Sequence, residues 1–394
     1  MNKTLISFFC FFCLFPIHSQ SQTTMIKSYG VENNMPVFYQ ALKQSLTFPM
    51  AWGNSPEKNF QRWRVKARKT LMSCMENIIS APKSFDMKIV DVEQRKGYKA
   101  EKIFFNVSAW SRIPAYILVP DGKGPFPAIL MLHDHGAHFS IGKEKMIRPF
   151  DVDSLILKDA DHWSWACYGG QYPGDYYASH GYVVLAIDAL FWGERGRKEG
   201  VDYNGQQALA SNLLQLGTSW GSVITMDDVH SADFLSSLSF VDSLKVGCLG
   251  HSMGGYRSWM LSAVTDKVKA SASICWMNTT DSLMTLTNNQ NKGGSAYSMI
   301  IPGIRRFMDY SQVAAIACPK PALFFNGYRD KLFPVEGVKA AYSEMRKVWD
   351  SQHADDCLVT KIWDEKHYFN KEMQRETLAF FNHFFYLSAD KDKQ

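Results

Sequence analysis

Six apolar runs constrain the fold of this chain more than any other feature of its sequence. The runs are FPAILMLHD, GYVVLAID, KVGCLGHS, KASASICW, PALFFNG and CLVTKIWD, and helical segments alternate with them. Apolar residues stand at successive positions rather than at every second one, so both faces of each predicted strand must be buried. Such strands, separated by helices, are typical of a parallel sheet covered on both sides. The sequence therefore predicts an α/β fold with a doubly wound, mostly parallel sheet.

The segments before and after these runs complete the predicted domain organisation. The pattern from about residue 37 to 79 is helical, and FDMKIVDVEQ, YKAEKIFFNV and IPAYILVP favour antiparallel strands. The final segment, KEMQRETLAFFNHFF, carries an apolar stripe at helical spacing. We predict a helical N-terminal extension over residues 22–85 and an α/β domain over residues 86–390.

The N-terminus resembles a secretory signal. Lys3 precedes an apolar core from about Leu5 to Ile17, and small and polar residues follow it. The core is shorter than the roughly 20 residues that a membrane span needs. We predict a signal peptide over residues 1–21 and an exported protein, periplasmic or extracellular, with no stable membrane insertion.

Composition excludes several other classes of protein. The 43 basic and 38 acidic residues give a net charge of only +5, and no basic run of the kind that grips phosphates is present, so we expect no nucleic-acid partner. The six cysteines after residue 21 are scattered and form no C-x-x-C pair, which argues against a zinc ribbon or a redox motif. Cys248 and Cys275 lie in apolar strand-like runs, where free buried thiols are expected. The oligomeric state stays open.

The strongest chemical signal is VGCLGHSMGGYRSWM, in which residues 250–254 fit G-x-S-x-G. An apolar strand precedes the motif and a helical pattern follows it, which is the context of a nucleophile on a tight turn. Flanking glycines let the backbone crowd at such a turn, and the helix N-terminus favours negative charge beside it. We predict that Ser252 is a nucleophile.

A nucleophilic serine needs a base, and the base needs an acid that orients it. Asp330 lies in the turn after the strand PALFFNG, and His367 follows the last predicted strand and precedes the last helix. The order serine, acid, histidine matches this architecture. We predict Asp330 and His367 as partners of Ser252, with Asp364 and Glu365 as rivals for the acid.

From about Phe126 to Phe385 the chain resembles the α/β-hydrolase fold in its dienelactone-hydrolase-like and acetyl-xylan-esterase-like branch. GHSMGG, GYRDKLFP and EKHYF carry this resemblance, and LHDHGAHFSIGKEK and AIDALFWGERG are similar to a bacterial subgroup of exported hydrolases. The resemblance implies a serine carboxylic-ester hydrolase, often acting on ester groups of plant polysaccharides, and no cofactor or metal is expected. It leaves the helical N-terminal part unexplained.

The resemblance also gives a role to the loop HDHGAH, residues 133–138. In this fold the oxyanion hole uses the backbone N–H after the nucleophile, here Met253, and a second N–H from the loop after an early strand. Related esterases often carry His-Gly and another residue here, whereas this chain has Asp134 at one of these positions. We predict the N–H of His135 as the second donor, with Asp134 or Gly136 as alternatives.

Three other classes of protein remain open. Metallo-β-lactamase-like zinc hydrolases carry H-x-H-x-D-H after a strand, and the loop matches this except at Ala137. That interpretation would leave Ser252 and its partners unexplained. The zinc ligands would have to be His133, His135, His138 and either His180 or His230. A peptidase of the same fold and a non-catalytic carbohydrate-binding relative are the other two.

Two long segments, residues 138–172 and 277–311, interrupt the strand–helix alternation and are expected at the carboxyl ends of strands, where ligands bind. Aromatic residues are frequent near them. Most should be core, but Trp192 follows a strand end closely, so we predict that Trp192 and Arg195 contact substrate. Basic residues nearby could form a rim that binds a uronate carboxylate, which would favour a pectin-type methyl ester. They could equally be solvated surface, or form an internal salt bridge such as one from Arg195. These basic residues are Lys143, Lys145, Arg148, Arg195 and Arg197. Acetyl ester remains slightly favoured.

Overall fold

The structure is a computed structural model that describes residues 30–32, 35–75, 79–197, 200–285 and 296–387. The predicted signal peptide of residues 1–21 lies outside these residues. Contacts divide the chain into two units, residues 1–44 and 45–394. The first unit contains a small antiparallel hairpin, β1 (Val31–Glu32) and β2 (Met35–Pro36), and the short helix α1 (Tyr39–Gln44).

The second unit contains a sheet of nine strands within the described residues. They are β3 (Lys88–Arg95), β4 (Tyr98–Asn106), β5 (Arg112–Pro120), β6 (Phe126–Leu132), β7 (Val183–Ile187), β8 (Val241–His251), β9 (Ala270–Ile274), β10 (Ala322–Gly327) and β11 (Leu358–Trp363). Their order is β11-β10-β9-β8-β6-β7-β5-β4-β3. The pairs from β3 to β5 and the pair β5–β7 are antiparallel, and the others are parallel. The predicted doubly wound, mostly parallel sheet is confirmed.

Helices cover both faces of this sheet. They are α2 (Phe60–Cys74), α3 (Ser154–Tyr168), α4 (Pro173–Ala178), α5 (Tyr203–Gln215), α6 (Trp220–Ser237), α7 (Met253–Val264), α8 (Thr280–Leu283), α9 (Tyr310–Ala314), α10 (Val335–Ser351) and α11 (Lys371–Asn382). Helix α11 buries Met373, Thr377, Phe380 and Phe381, which lie on the predicted apolar stripe. None of the described helices is long and apolar enough to span a membrane.

Helix α2 belongs to the unit that contains the sheet, because the division by contacts falls after residue 44 rather than at the predicted boundary of 85. Its buried residues Phe60, Trp63, Ala67 and Leu71 recur at helical spacing and share one core cluster with Trp259 of α7. This continuous packing explains the aromatic residues of the segment as core.

Four strands end along one edge of the sheet and determine where the site can form. Strands β6, β8, β10 and β11 are parallel, so their carboxyl ends lie at the same edge. The 133–138 loop follows β6, Ser252 follows β8, Asp330 follows β10 and His367 follows β11. The sheet therefore brings together residues that are up to 234 positions apart in the chain.

Candidate active site

Ser252 occupies a strained turn between β8 and α7. Its φ of 55° and ψ of −123° lie where non-glycine residues are rarely found, and its N–H donates to the carbonyl of Ile274 at 2.8 Å. A Cβ on Gly250 would lie 2.2 Å from the backbone of Gly254, and one on Gly254 would lie 1.8 Å from the carbonyl oxygen of Leu132. Both glycines of the motif are therefore required by close backbone approach.

Asp330 and His367 form a direct pair. The Nδ1–H of His367 donates to Oδ2 of Asp330 at 2.6 Å, and the other carboxylate oxygen accepts from the N–H of Leu332 at 2.9 Å. The Asp330 side chain is fully buried, whereas 23% of the His367 side chain is exposed. The imidazole stacks on Phe333, with ring centroids 5.9 Å apart and an interplanar angle of 12°. The pair thus fixes the ring and leaves Nε2 for a partner.

The rival acids are engaged elsewhere. Asp364 is 83% exposed and bonds to Arg329 at 2.9 Å. Glu365 accepts from the backbone N–H of Lys366 and from the amide of Asn370. Among the three acids, only Asp330 bonds to His367 in the described structure.

His251, which precedes Ser252, places the His367 ring beside the nucleophile turn. The two imidazole centroids are 4.8 Å apart, and Tyr168 packs edge-on against His251 at 5.6 Å. His251 is buried, and neither ring nitrogen has a hydrogen-bond partner among the described residues. Burial, and secondarily the neighbouring His367, lower the pKa of His251 to about 3. His251 is therefore a neutral ring at neutral pH.

The 133–138 loop lies against the start of α7. The 1.8 Å approach at Gly254 involves Leu132, and the same hypothetical Cβ would lie 3.1 Å from the carbonyl oxygen of His133. Met253 is the first residue of α7, where the backbone N–H has no acceptor within its own helix. The backbone N–H of His135 likewise has no acceptor among the described residues. Both predicted oxyanion donors therefore have free N–H groups.

The imidazoles of the loop serve to hold the loop itself. His135 Nδ1 accepts from the N–H of Ala137 at 2.9 Å, and its Nε2 donates to Gln206 at 2.9 Å. His133 Nε2 accepts from the N–H of Ala189 at 3.0 Å. Burial lowers the pKa of His135 to about 4, and it lowers that of His133 well below the ordinary value, with Arg257 and Lys145 contributing. Both rings are neutral structural groups.

Asp134 points into the interior and has three partners there. Its carboxylate accepts from Tyr168 at 2.5 Å and from the indole of Trp163 at 3.1 Å, and the ammonium of Lys145 lies 3.4 Å away. Burial alone would raise the pKa of Asp134, but Lys145, His251 and the two hydrogen bonds more than offset burial and lower it. Asp134 is thus a buried anchor that joins the loop to α3.

The prediction that Trp192 and Arg195 contact substrate is wrong for this structure. Trp192 is fully buried, stacks on Trp220 and donates its indole N–H to the carbonyl of His135 at 3.1 Å. Arg195 binds Asp227 at 2.8 Å and the carbonyl of Asp188 at 3.0 Å, so the internal salt bridge is the correct alternative. Both residues do follow the end of β7, as predicted, but their side chains point inward and donate hydrogen bonds to the buried carbonyls of His135 and Asp188 and to Asp227.

The two lysines of the suggested basic rim are not at the surface. Lys143 and Lys145 are fully buried on one short 3-10 turn, Lys143–Lys145. Lys143 donates to three carboxylates, which raise its pKa although burial opposes its charge; these belong to Glu144, Asp188 and Glu194. The sequence suggested exposure because lysine is rarely buried unless it is paired.

Two groups of side chains have the geometry to hold a metal ion within the described residues. One comprises His251, Cys275 and His367, and the other comprises Glu144, Asp188 and Glu194, between which the Lys143 ammonium lies. Neither contains a histidine of the 133–138 loop. The remaining histidines of the zinc hypothesis bond elsewhere: His138 to Asp159, His180 to the Tyr176 carbonyl and His230 to the Val107 carbonyl. The proposed zinc ligands do not converge.

Trp165 is a surface residue near the site that the sequence did not single out. It is 69% exposed on α3, and its carbonyl accepts from the hydroxyl of Tyr368, the neighbour of His367. Its place among the frequent aromatic residues of the 138–172 segment, most of which were expected to be core, is the signal that the sequence offers.

A strained serine turn between a strand and a helix of a mostly parallel sheet is typical of the α/β-hydrolase class. The chain belongs to the Abhydrolase family, whose model matches residues 16–385. It is 26% identical over 318 residues to the Bacillus subtilis (strain 168) protein named "Putative hydrolase YtaP", covering 80% of this chain and 98% of that protein.

Solved structures with similar folds include two esterases. The first is a "putative acetyl xylan esterase" from Bacteroides fragilis NCTC 9343, with a TM-score of 0.66 and 18% identity over 82% of this chain and 81% of that one. The second is "Methylesterase BT1017", with a TM-score of 0.61 and 17% identity over 88% of this chain and 68% of that one. Identities this low establish the shared fold and no more.

Proposed function

We propose that this protein is an exported serine carboxylic-ester hydrolase that acts on ester groups of plant polysaccharides. One observation carries the proposal: the 2.6 Å hydrogen bond from His367 to buried Asp330, with the His367 ring 4.8 Å from that of His251, which directly precedes Ser252. A serine on a strained turn beside an oriented imidazole is the arrangement that acyl transfer requires. Export rests on residues 1–21 of the sequence.

The proposed reaction begins with attack of the Ser252 oxygen on the ester carbonyl carbon. Nε2 of His367 takes the serine proton as that bond forms, and Asp330 stabilises the resulting imidazolium through Nδ1. The tetrahedral oxyanion is bound by the N–H of Met253 and by a second N–H from the 133–138 loop, with that of His135 first. Collapse expels the sugar hydroxyl, which His367 protonates, and water then hydrolyses the acyl-enzyme with His367 as its base.

The contacts of the basic residues favour an acetyl ester over a methyl ester of a uronate. A uronate would need free cations near the site, but Lys143, Lys145 and Arg195 are all bonded to acidic partners. Arg148 and Arg197 are the two basic residues of the suggested rim that are exposed, and they are the ones that a methyl ester of a uronate would require. A pectin-type methylesterase remains the alternative, because a methylesterase is among the similar solved structures.

Trp165 is the residue we propose for the polysaccharide surface in place of Trp192. Sugar rings present C–H faces that pack on aromatic planes, and this indole is exposed while its backbone is tied to Tyr368. Binding of the polysaccharide is thus assigned to Trp165, whereas hydrolysis of the ester is assigned to Ser252, His367 and Asp330.

The experiment that tests the chemistry compares Ser252→Ala with Ser262→Ala on p-nitrophenyl acetate. Ser262 lies on the same helix as the nucleophile turn, is fully buried and has no hydrogen-bond partner for its hydroxyl among the described residues, which makes it a matched control. We expect Ser252→Ala to abolish turnover and Ser262→Ala to retain it. Activity that survives Ser252→Ala but is lost with chelators would instead support a metal mechanism.

A second experiment tests the substrate. Release of acetate from acetylated xylan and of methanol from pectin is measured with the wild-type protein and with Ser252→Ala. Acetate release that depends on Ser252 supports the favoured ester, and methanol release that depends on Ser252 supports the alternative. A serine-dependent activity on p-nitrophenyl acetate without either product would reject the polysaccharide assignment and leave the esterase chemistry intact.

A further inference from the structure

Two carbonyl groups of the 133–138 loop are each held by two buried donors. The carbonyl of Asp134 accepts from Lys145 Nζ at 3.1 Å and from His133 Nδ1 at 2.8 Å. The carbonyl of His135 accepts from Lys145 Nζ at 3.0 Å and from the Trp192 indole at 3.1 Å. A single ammonium group therefore bridges two successive peptide units.

The orientation of these carbonyls fixes that of the following N–H groups. Both peptide bonds are trans, so the N–H of each unit points opposite to its C=O. The carbonyl of Asp134 shares its peptide unit with the N–H of His135, and the carbonyl of His135 shares its unit with the N–H of Gly136. With both carbonyls turned toward buried Lys145, these two N–H groups point out of the buried cluster. They are the candidates for the second oxyanion donor.

We propose that Lys145 is a positioning residue for the oxyanion hole, holding the peptide units 134–135 and 135–136 so that their N–H groups face the reacting carbonyl oxygen beside Ser252. This inference rests on the proposed esterase function. Hydrogen bonds to a peptide carbonyl also polarise its N–H, which strengthens the bond that the N–H donates to an oxyanion.

Asp134 compensates the charge of Lys145. An isolated buried ammonium would be costly, and the Asp134 carboxylate supplies the opposite charge while Tyr168 and Trp163 complete its hydrogen bonds. The side chain of Asp134 is therefore bonded in the interior, while its backbone remains part of the loop.

The test compares Lys145→Met with the charge-balanced double variant Lys145→Met/Asp134→Asn. The kcat and KM for p-nitrophenyl acetate are measured together with the affinity of phenylboronic acid, whose tetrahedral adduct with Ser252 places an oxygen where the oxyanion forms. Loss of one oxyanion donor costs about 10²–10³-fold in kcat. For a donor that is present but mispositioned we expect a loss of about 10–100-fold in kcat, an equal loss in boronate affinity and a nearly unchanged KM.

Lys320 provides the matched control. It is another largely buried lysine of the 45–394 unit, and its ammonium donates to the backbone carbonyls of Ser262, Thr265 and Val268, away from the 133–138 loop. Lys320→Met should lower the melting temperature without changing kcat or boronate affinity. A merely structural role for Lys145 would give the same result as this control.

Trp192→Phe is a second variant that leaves every buried charge in place. It removes the indole donor to the His135 carbonyl, which also accepts from Lys145 and, at 3.4 Å, from the N–H of His138. One hydrogen bond is worth about 2–10-fold, so kcat and boronate affinity should fall together by that factor. Wild-type kcat and boronate affinity in folded Lys145→Met/Asp134→Asn, or in Trp192→Phe if the double variant does not fold, would overturn the inference. Activity that survives Ser252→Ala would instead reject the esterase proposal itself.

Discussion

The close approach between α7 and the end of β6 makes Gly254→Ala the most informative single substitution in this protein. The added Cβ would lie 1.8 Å from the carbonyl oxygen of Leu132, and ordinary contact begins at 3.4 Å, so about 1.6 Å of displacement is needed. The atoms that must move are the backbone of β6 and the first turn of α7, which are not flexible side-chain ends. Overpacking of this kind costs about 1–3 kcal/mol or more of stability.

The same displacement separates the two predicted oxyanion donors. The N–H of Met253 moves with α7 and that of His135 moves with β6, and a misplacement of about 1 Å is enough to cost roughly 10²-fold in rate. We expect kcat for p-nitrophenyl acetate to fall by about 100-fold or more per folded molecule, and the melting temperature to fall by at least about 2 °C. Folded enzyme is quantified by near-UV circular dichroism, which does not depend on the reactivity of Ser252.

Gly53→Ala is the control for this substitution. A Cβ at Gly53 would meet nothing within 4 Å, and its backbone does not require glycine, so alanine should leave both kcat and melting temperature close to the wild-type values. A Gly254→Ala protein that melts and turns over like the wild type would refute the reasoning, since the backbone would then have absorbed the displacement without moving the donors.

Three further predictions follow from the site. Asp330→Asn should lower kcat by about 10⁴-fold, because the imidazole of His367 loses its orienting charge, while the exposed Asp364→Asn should change kcat less than two-fold; equal effects would make the acid assignment wrong. The pKa of His251 is about 3 in the folded protein against an ordinary 6.5, so the unfolded state binds more protons below pH 6.5. The free energy of unfolding should therefore fall on acidification, by up to roughly 1.4 kcal/mol per pH unit, and urea titrations between pH 7 and pH 4.5 should show a shallower dependence for His251→Phe. Trp165→Ala should raise KM for acetylated xylan about five-fold, the equivalent of ~1 kcal/mol of aromatic contact, and leave p-nitrophenyl acetate kinetics unchanged; equal effects on both substrates would argue against a sugar surface.

The predicted nucleophile turn shows what local pattern can establish. Strand, G-x-S-x-G and helix follow one another within about 25 residues, and the glycines at positions 250 and 254 are required by contacts that any such turn would have. The pairing of Asp330 with His367 followed from chain order, because successive strands of a parallel sheet deliver their carboxyl ends to one edge. These features depend on the topology of the sheet, which the apolar runs encode directly.

The wrong prediction for Trp192 and Arg195 and the buried position of Lys143 and Lys145 share one cause. Distance along the chain from a strand end does not give the direction of a side chain in a loop, because that direction depends on partners from other elements. Arg195 turns inward because Asp227 of α6 lies there, and Lys145 does so because Asp134 and two carbonyls need a donor. Buried charge is paired charge, and the partners are distant in sequence.

The sequence by itself determined the sheet, the serine turn and the order of acid and histidine, because these follow from periodicity, glycine spacing and topology. Only the tertiary structure showed how the side chains of the 133–138 loop are held. Its three histidines suggested metal ligation, yet each imidazole bonds within the protein, and Lys145, eleven positions beyond Asp134 and ten beyond His135, holds the backbone. A residue's type limits the bonds that it can form, but the fold selects its partner. In the 133–138 loop the buried partners hold the side chains of His133, Asp134 and His135, and no described acceptor binds the N–H groups of residues 135 and 136.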